Sequence, residues 1–306
     1  MSKERVLGID IGGTNIRLGV VDGDYALSGF EMHSCRRLLG DSPLENLAQI
    51  IRESLAANGA VGAVAIGVPA VVNKNHSFVC SAPNVYGLDS LELGLELEKR
   101  LDLPVFVDRD VNFILAHDIH SQRLDPEGRR TILGCYLGTG FGNSLYIGGR
   151  FHLGAHGSAG ELGHIPLYGV EKTCACGQTG CVETLVSGRY LQSLCEEAFP
   201  DCPISDVFVR HGDDARIQRF VRDTAVPVAT EITLLDPDFI ILGGGVMGMK
   251  GFPIEALKDE IRRRVRHPLP AEDLHFLLSQ GSQTAGVLGG GMMVLGYLRR
   301  GEPFRL

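Results

Sequence analysis

Tryptophan is absent from this 306-residue chain, and with it the largest stacking surface for single-stranded nucleic acid. A basic excess is missing too: 29 Lys and Arg against 37 Asp and Glu leave a formal net charge of −8. Proteins that work through phosphate-backbone contacts carry a basic face, so nucleic acid is not an expected partner. The one basic cluster, Arg262-Arg263-Arg264 with Arg266, falls in an amphipathic helical stretch and reads as a solvated face or an oligomer contact. Long apolar runs are lacking. Ala63 to Val72 is short and broken by Gly67 and Pro69, so no membrane span is expected. Met1 to Ile11 has no apolar core followed by a small-residue cleavage site, so no secretory leader is expected. No linker or low-complexity segment interrupts the chain, and no Gly-Lys-Ser/Thr follows any of its glycine turns, which excludes a Walker loop.

Glycine is the residue in excess. The chain has 40, where average usage would give about 21, which points to tight turns and close backbone approaches to ligand. Apolar residues at 44% and charged residues at 22% describe an ordinary globular protein. The length suits two domains or one large lobed one. Eight cysteines without a leader suggest a reducing, cytoplasmic setting, where clustered thiols serve metals more often than disulfides.

The opening reads as a meander of strands over Arg5 to Ile11, Ile16 to Val21 and Ala26 to Met32, turned at Gly12-Gly13 and Asp22-Gly23. A helix is expected over Asp41 to Asn58, with Pro43 in its first turn. A buried strand follows over Val61 to Val68, a helix over Ser90 to Leu101, a strand at Val105 to Val107 and a helix opening at Asp110. Beyond a Cys/Gly-rich loop, helices are expected over Ser187–Ala198, Asp213–Leu235, Ile254–Arg266 and Thr284–Arg299, with strands at Phe239–Leu242 and Leu274–Leu278. Written at an offset of 126, Val6 to Gly23 aligns with Ile132 to Gly149, pairing Leu7, Gly8, Gly12 and Gly23 with Leu133, Gly134, Gly138 and Gly149. Both copies read strand, glycine turn, strand. A duplicated fold of this kind, each half offering a glycine-turn hairpin to a shared cleft, is expected of the actin-like (ribonuclease H-like) ATPase α/β fold.

Four motifs carry chemistry. Asp10-Ile-Gly12-Gly13-Thr14-Asn15 follows a buried strand, so its backbone N–H groups can turn toward an anion while Asp10 holds a hydrated divalent cation. Gly138-Thr139-Gly140-Phe-Gly142 makes the same offer from the second copy. His164 with Cys174, Cys176 and Cys181 supplies one imidazole and three thiolates, a set that closes a tetrahedral Zn²⁺ site and so marks a structural metal. Glu161 and Glu183 flank that set, where a metal would fix them for hydrogen bonds to hydroxyls. Asp108-Arg-Asp110-Val-Asn112 lies where a buried strand gives way to a helix, so one carboxylate at the strand's carboxyl end faces ligand.

Together these residues resemble the ROK family of sugar kinases and sugar-responsive repressors. The phosphate loop, the Asp110-x-Asn112 pair, the second Gly-Thr-Gly loop, Glu161-x-Gly-His164, Cys174-x-Cys176-Gly-x-x-Gly-Cys181-x-Glu183 and Gly243-Gly244-Gly245 occur in the family's order and span nearly the whole chain. The resemblance implies an ATP:hexose phosphotransferase with Mg²⁺ and structural Zn²⁺ as cofactors. Asp110 would be the catalytic base. Asn84, Asp110, Glu161, His164 and Glu183 would hold the sugar. Asp10, Gly12, Gly13, Thr14, Gly138, Thr139 and Gly140 would surround the phosphates, and Gly243 to Gly245 would meet the adenosine. It also implies two lobes, residues 1–115 plus 287–306 and residues 116–286, with a cleft between them, and a homodimer. Nine residues precede Asp10, so a helix–turn–helix module ahead of the loop is not expected. A non-catalytic sugar-binding regulator on the same fold is the alternative.

One position departs from the pattern. Many hexokinase-like members carry Asn before the base, and here it is Arg109. A guanidinium cannot occupy the pose of that amide, so Arg109 is expected to point away from the sugar toward a carboxylate such as Asp108 or Glu183. Arg109, Gly154-Ala-His-Gly157 and Leu235-Asp-Pro-Asp238 resemble the family's D-allose kinases more than its glucokinases. D-allose is therefore the expected sugar, with glucose, fructose and N-acetylmannosamine as alternatives.

Overall fold

A computed structural model describes residues 4–82, 85 and 87–300. Asn84 lies outside the described residues. The chain forms two compact units, one from residues 1–129, 147–159 and 280–306, the other from 130–146 and 160–279.

The first unit is built on a five-stranded sheet in the order β3-β2-β1-β4-β7, from β1 (Arg5–Ile11), β2 (Asn15–Asp22), β3 (Leu27–Ser34), β4 (Ala63–Val68) and β7 (Val105–Arg109). The Gly12-Gly13 turn makes β1 and β2 antiparallel, whereas β4 runs parallel to both β1 and β7. β1 and β4 read as near-continuous apolar runs because both of their faces are covered: every residue of β4 is buried, and Leu7, Ile9, Ile66 and Val107 are fully so. A short ribbon, β5 (Val71–Val72) with β6 (Val79–Ser81), and the helix α2 (Leu93–Leu101) lead into β7.

Helix α1 (Pro43–Asn58) takes Pro43 at its start and buries Leu47, Ile50 and Ile51, the three-to-four spacing of one helical face. Helices α3 (Asp110–Ser121) and α8 (Ala285–Arg300) pack against each other and the sheet. The glycines of α8 permit that approach. A Cβ on Gly289 would meet the Phe113 carbonyl oxygen at 1.8 Å, and one on Gly286 would meet the Asp10 carboxyl carbon at 2.7 Å.

The second unit carries β8 (Thr131–Leu137), β9 (Phe141–Ile147), β11 (Phe239–Gly243) and β12 (Phe276–Leu278) in the order β9-β8-β11-β12. The two-residue strand β10 (Arg150–Phe151) follows β9 in the chain. β8, β11 and β12 are parallel. Its helices are α4 (Gly188–Ala198), α5 (Val207–His211), α6 (Ala215–Leu235) and α7 (Ile254–Arg264). Each unit thus repeats one plan, a hairpin followed by two parallel strands, as the alignment at an offset of 126 implied. The basic cluster falls on α7 and just beyond it. Arg262 pairs with Asp259 at 2.9 Å, Arg263 with Glu260 at 2.8 Å, and Arg264 with Glu260, all on the helix itself. Among the described residues no helix is long and apolar enough to cross a membrane.

Candidate active site

In the first unit, β1 delivers Asp10 to the carboxyl end of the sheet. Burial raises the Asp10 carboxyl pKa, and the Arg17 guanidinium, at 3.1 Å, works against that rise. Arg17 is its register partner on β2, so the Gly12-Gly13 turn itself sets the pair. The loop is closed by the Gly12 N–H donating to the Asn15 carbonyl at 2.9 Å. Gly13 and Thr14 are exposed. Cys35 donates twice to this loop, from its N–H to the Thr14 carbonyl at 2.8 Å and from Sγ to the Gly12 carbonyl at 3.0 Å.

At the end of β7 the chain enters α3 through Asp108 to Asn112. Asp108 is fully enclosed, and burial raises its pKa. Its Oδ1 accepts from the Arg109 N–H at 2.7 Å and from Asn112 Nδ2 at 2.8 Å, while Oδ2 faces His76 Nδ1 at 3.7 Å. Burial in turn pushes His76 below the ordinary imidazole value, with the Asp108 charge opposing it. These bonds fix the strand-to-helix turn that carries Asp110 in the first position of α3, half-buried, with its Oδ1 accepting the Val111 N–H at 2.8 Å. Arg109 is buried, and its guanidinium donates to the Ala159 carbonyl at 2.6 Å. The Asp108 charge is close enough to act on it, and Asp108 also accepts the Arg109 backbone N–H.

In the second unit, Gly138 and Gly140 lie in the turn between β8 and β9, and Thr139 is exposed between them. Gly243 ends β11, in register with Tyr136, and Gly244 and Gly245 follow it exposed. The Val246 N–H donates to the Leu137 carbonyl at 2.9 Å. Both glycine turns therefore sit at the carboxyl end of this unit's parallel strands, where open α/β sheets bind ligands.

His164, Cys174, Cys176 and Cys181 come together, with their ligand atoms all within 4.8 Å of one another. His164 Nδ1 stands 3.6 Å from Cys174 Sγ, and the sulfurs of Cys176 and Cys181 are 3.7 Å apart. Zn–S bonds of about 2.3 Å in a tetrahedron put sulfurs roughly 3.8 Å apart, so the set fits that ion. Gly177 and Gly180, at φ +89° and +90°, give the left-handed turns that fold the thiols inward. Burial, with hydrogen bonds donated to Cys176 and Cys174, pushes the Cys181 thiol up to about 12, which disfavours three thiolates unless a cation offsets their charge. The other imidazole nitrogen of His164, Nε2, faces Glu161 Oε2 at 3.5 Å. That is the carboxylate–histidine arrangement that orients a metal ligand. Glu183 lies two residues beyond Cys181. Its Oε2 accepts the Phe141 N–H at 2.8 Å, and the residue borders a cavity of about 520 Å³ with Lys172, Ser187, Arg189 and Tyr190.

Sequence reasoning missed Arg17, Cys35, His76 and Asp108 as supports. Arg17 alone had a legible signal, since a two-glycine hairpin places it opposite Asp10. Cys35 and His76 have no motif around them.

The ROK family model matches residues 6–296. An N-acetyl-D-glucosamine kinase of Pectobacterium carotovorum subsp. carotovorum is 33% identical over 258 residues, 78% of this chain and 83% of the relative. The structure of a ROK family glucokinase from Streptomyces griseus in complex with glucose and AMPPNP superposes with a TM-score of 0.79 at 26% identity, covering 94% of this chain and 98% of that one. A ROK hexokinase from Thermus thermophilus gives a TM-score of 0.74 at 27% identity, covering 94% and 97% of the two chains. With two sheets of one plan and the family's motifs in order at their strand ends, the chain has the actin-like α/β fold and belongs to the ROK family.

Proposed function

We propose that the protein is an ATP-dependent sugar kinase that transfers the γ-phosphoryl group of ATP to a hexose hydroxyl, most simply the 6-OH. The observation that carries this reading is the placement of Asp110. A carboxylate stands at the carboxyl end of β7, in the first turn of α3, on a turn held by two hydrogen bonds to Asp108. Asp110 takes the proton of the attacking hydroxyl, a contribution on the order of 10²–10⁴-fold. Phosphoryl transfer has a loose transition state, so the remaining work is positioning and charge stabilisation. The glycine loops supply N–H donors, and Asp10 would hold Mg²⁺, which would neutralise charge on the phosphates. Glu161, His164 and Glu183, with Asn84, bind the sugar. One zinc on His164, Cys174, Cys176 and Cys181 would keep those carboxylates in place without entering the reaction.

D-allose is the first reading of the substrate, because Arg109 replaces the amide that precedes the base in glucose-type members. Its guanidinium is engaged at the Ala159 carbonyl, two residues ahead of Glu161 in the chain. The relative named as an N-acetyl-D-glucosamine kinase favours a second reading, an N-acetylhexosamine. A coupled ADP-release assay across allose, glucose, fructose, mannose, N-acetylmannosamine and N-acetylglucosamine separates them. The highest kcat/KM on allose supports the first reading, and the highest on N-acetylglucosamine replaces it with the second. No sugar-dependent ADP release from any of the six would overturn the kinase. If Arg109 sets the preference, Arg109→Asn shifts the allose-to-glucose ratio of kcat/KM toward glucose by about tenfold, or 1.4 kcal/mol.

A further inference from the structure

Glu183 belongs by motif to the sugar-binding set, yet its carboxylate is engaged with the second phosphate loop. Oε2 accepts the Phe141 N–H at 2.8 Å. A Cβ on Gly140 would come within 2.4 Å of the same oxygen, and one on Gly163 within 3.3 Å. The carboxylate therefore occupies the space that glycine leaves open on the loop.

The loop's other backbone groups complete the account. Its Gly138 N–H closes onto the Gly140 carbonyl at 3.0 Å. The Gly138 carbonyl accepts from the Gly188 N–H at 2.8 Å, and the Thr139 carbonyl accepts from the Arg189 N–H at 3.0 Å. Every carbonyl from Gly138 to Gly140 is thus occupied, and the Phe141 N–H is taken by Glu183. The N–H groups of Thr139 and Gly140 have no protein acceptor among the described residues. Consecutive unpaired N–H groups in a turn form an anion-binding concavity. All three holding groups come from the short segment between Cys181 of the metal set and the start of α4.

We infer that Glu183 is a positioning residue for the nucleotide. It fixes the Gly138–Phe141 turn so that the Thr139 and Gly140 N–H groups face a phosphate, and it links the metal-organised loop to nucleotide affinity as well as sugar affinity. The inference rests on the kinase reading. A carboxylate beside a phosphate loop repels the ligand, so removing only its charge favours nucleotide. Weaker nucleotide binding on its removal therefore reports lost geometry rather than lost charge.

The test is calorimetric titration of the full-length, metal-loaded protein with Mg²⁺ and AMPPNP in the absence of sugar, and of each sugar in the absence of nucleotide. Glu183→Gln keeps an acceptor for the Phe141 N–H and holds the nucleotide Kd within about threefold, whereas Glu183→Ala raises it about tenfold or more. Glu183→Asp keeps the charge but withdraws the oxygens by one methylene, and follows Glu183→Ala. It serves in place of Glu183→Ala if that variant does not fold. A rise in the sugar Kd alone, with AMPPNP binding unchanged in the Ala and Asp variants, would overturn the inference and leave Glu183 a sugar contact only. Failure of the unsubstituted protein to bind AMPPNP would overturn the kinase reading and this inference with it.

Discussion

The two glycine loops reach the same end by different supports. In each, donors from elsewhere in the unit take up carbonyl oxygens that would repel a phosphate. At the first loop a single residue does this, Cys35, with its N–H on Thr14 and its thiol on Gly12. At the second loop the N–H groups of Gly188 and Arg189, at the start of α4, do it, and Glu183 adds a carboxylate. The hairpins below them also differ. Asp10 and Arg17, ion-paired across β1 and β2, align at an offset of 126 with Tyr136 and Asn143. Only the first hairpin carries an acid at its strand end. In the second, Asn143 reaches a carboxylate on another element, Glu231 of α6, at 2.8 Å. A duplicated framework thus has one copy with an ion-paired acid at its strand end and the other with a loop braced by a carboxylate.

The largest expected effect lies outside both loops and calibrates them. Asp110→Asn lowers kcat by about 10²–10⁴-fold and leaves the sugar Kd nearly unchanged, because the amide still bonds a hydroxyl but cannot accept its proton. ADP release and calorimetry read the two quantities. Retention of more than about a tenth of kcat would remove Asp110 as the base.

The asymmetry between the hairpins is tested next. Asp10→Asn reduces kcat/KM for MgATP by about 10–100-fold, the usual cost of losing a group that orients a metal's ligands. The aligned substitution Tyr136→Phe changes it by less than about threefold, since it removes one neutral hydrogen-bonding group. Comparable losses in both variants would show that the two strand ends do the same work.

The proposed zinc site on the cysteine loop is tested by metal content and sugar affinity together. Protein purified without added metal is expected to contain one zinc per chain by elemental analysis. Cys181→Ser should lose it and raise the sugar KM by roughly tenfold or more. A variant with full zinc content and unchanged KM would break the link between that loop and the site.

The last comparison concerns stability. Burial raises the Glu231 pKa from 4.5 to about 7, with its hydrogen bonds to Asn143 and Cys135 opposing the rise. The folded value lies above the unfolded one, so the folded state binds the extra proton. The group's favourable contribution is full below about pH 4.5 and is lost as pH rises through about 7. A shift of that size corresponds to at most about 3 kcal/mol. Glu231→Gln removes the ionisation and leaves an amide able to donate to Asn143 Oδ1, which has no hydrogen-bond partner among the described residues. Its melting temperature should exceed that of the unsubstituted protein at pH 8 and match it near pH 5. An equal difference at both pH values would exclude the titration of Glu231.

Much of the site was legible because it is written locally. Gly12-Gly13 turns a hairpin and sets Asp10 opposite Arg17. Cys174 to Cys181 with two glycines folds three of the metal set's four groups within eight residues. Asp108 to Asn112 lies at a strand-to-helix junction visible in the hydrophobic pattern. Element ends were less legible. Helix α2 begins at Leu93 rather than Ser90, which sits at φ +52°, and α6 begins at Ala215 because the Asp214 side chain accepts the Arg216 N–H as a cap.

The sequence by itself determined the two glycine hairpins, the loop that groups Cys174, Cys176 and Cys181, and the acid that opens α3. Each depends on residues a few positions apart, whose relation the backbone geometry of a turn or helix already dictates. Only the tertiary structure decided that Arg109 reaches Ala159, that Cys35 holds the first loop, and that Glu183 serves the second. Those partners lie 50, 23 and 42 positions apart, distances over which no local pattern fixes a contact and the packing of the sheets and helices does.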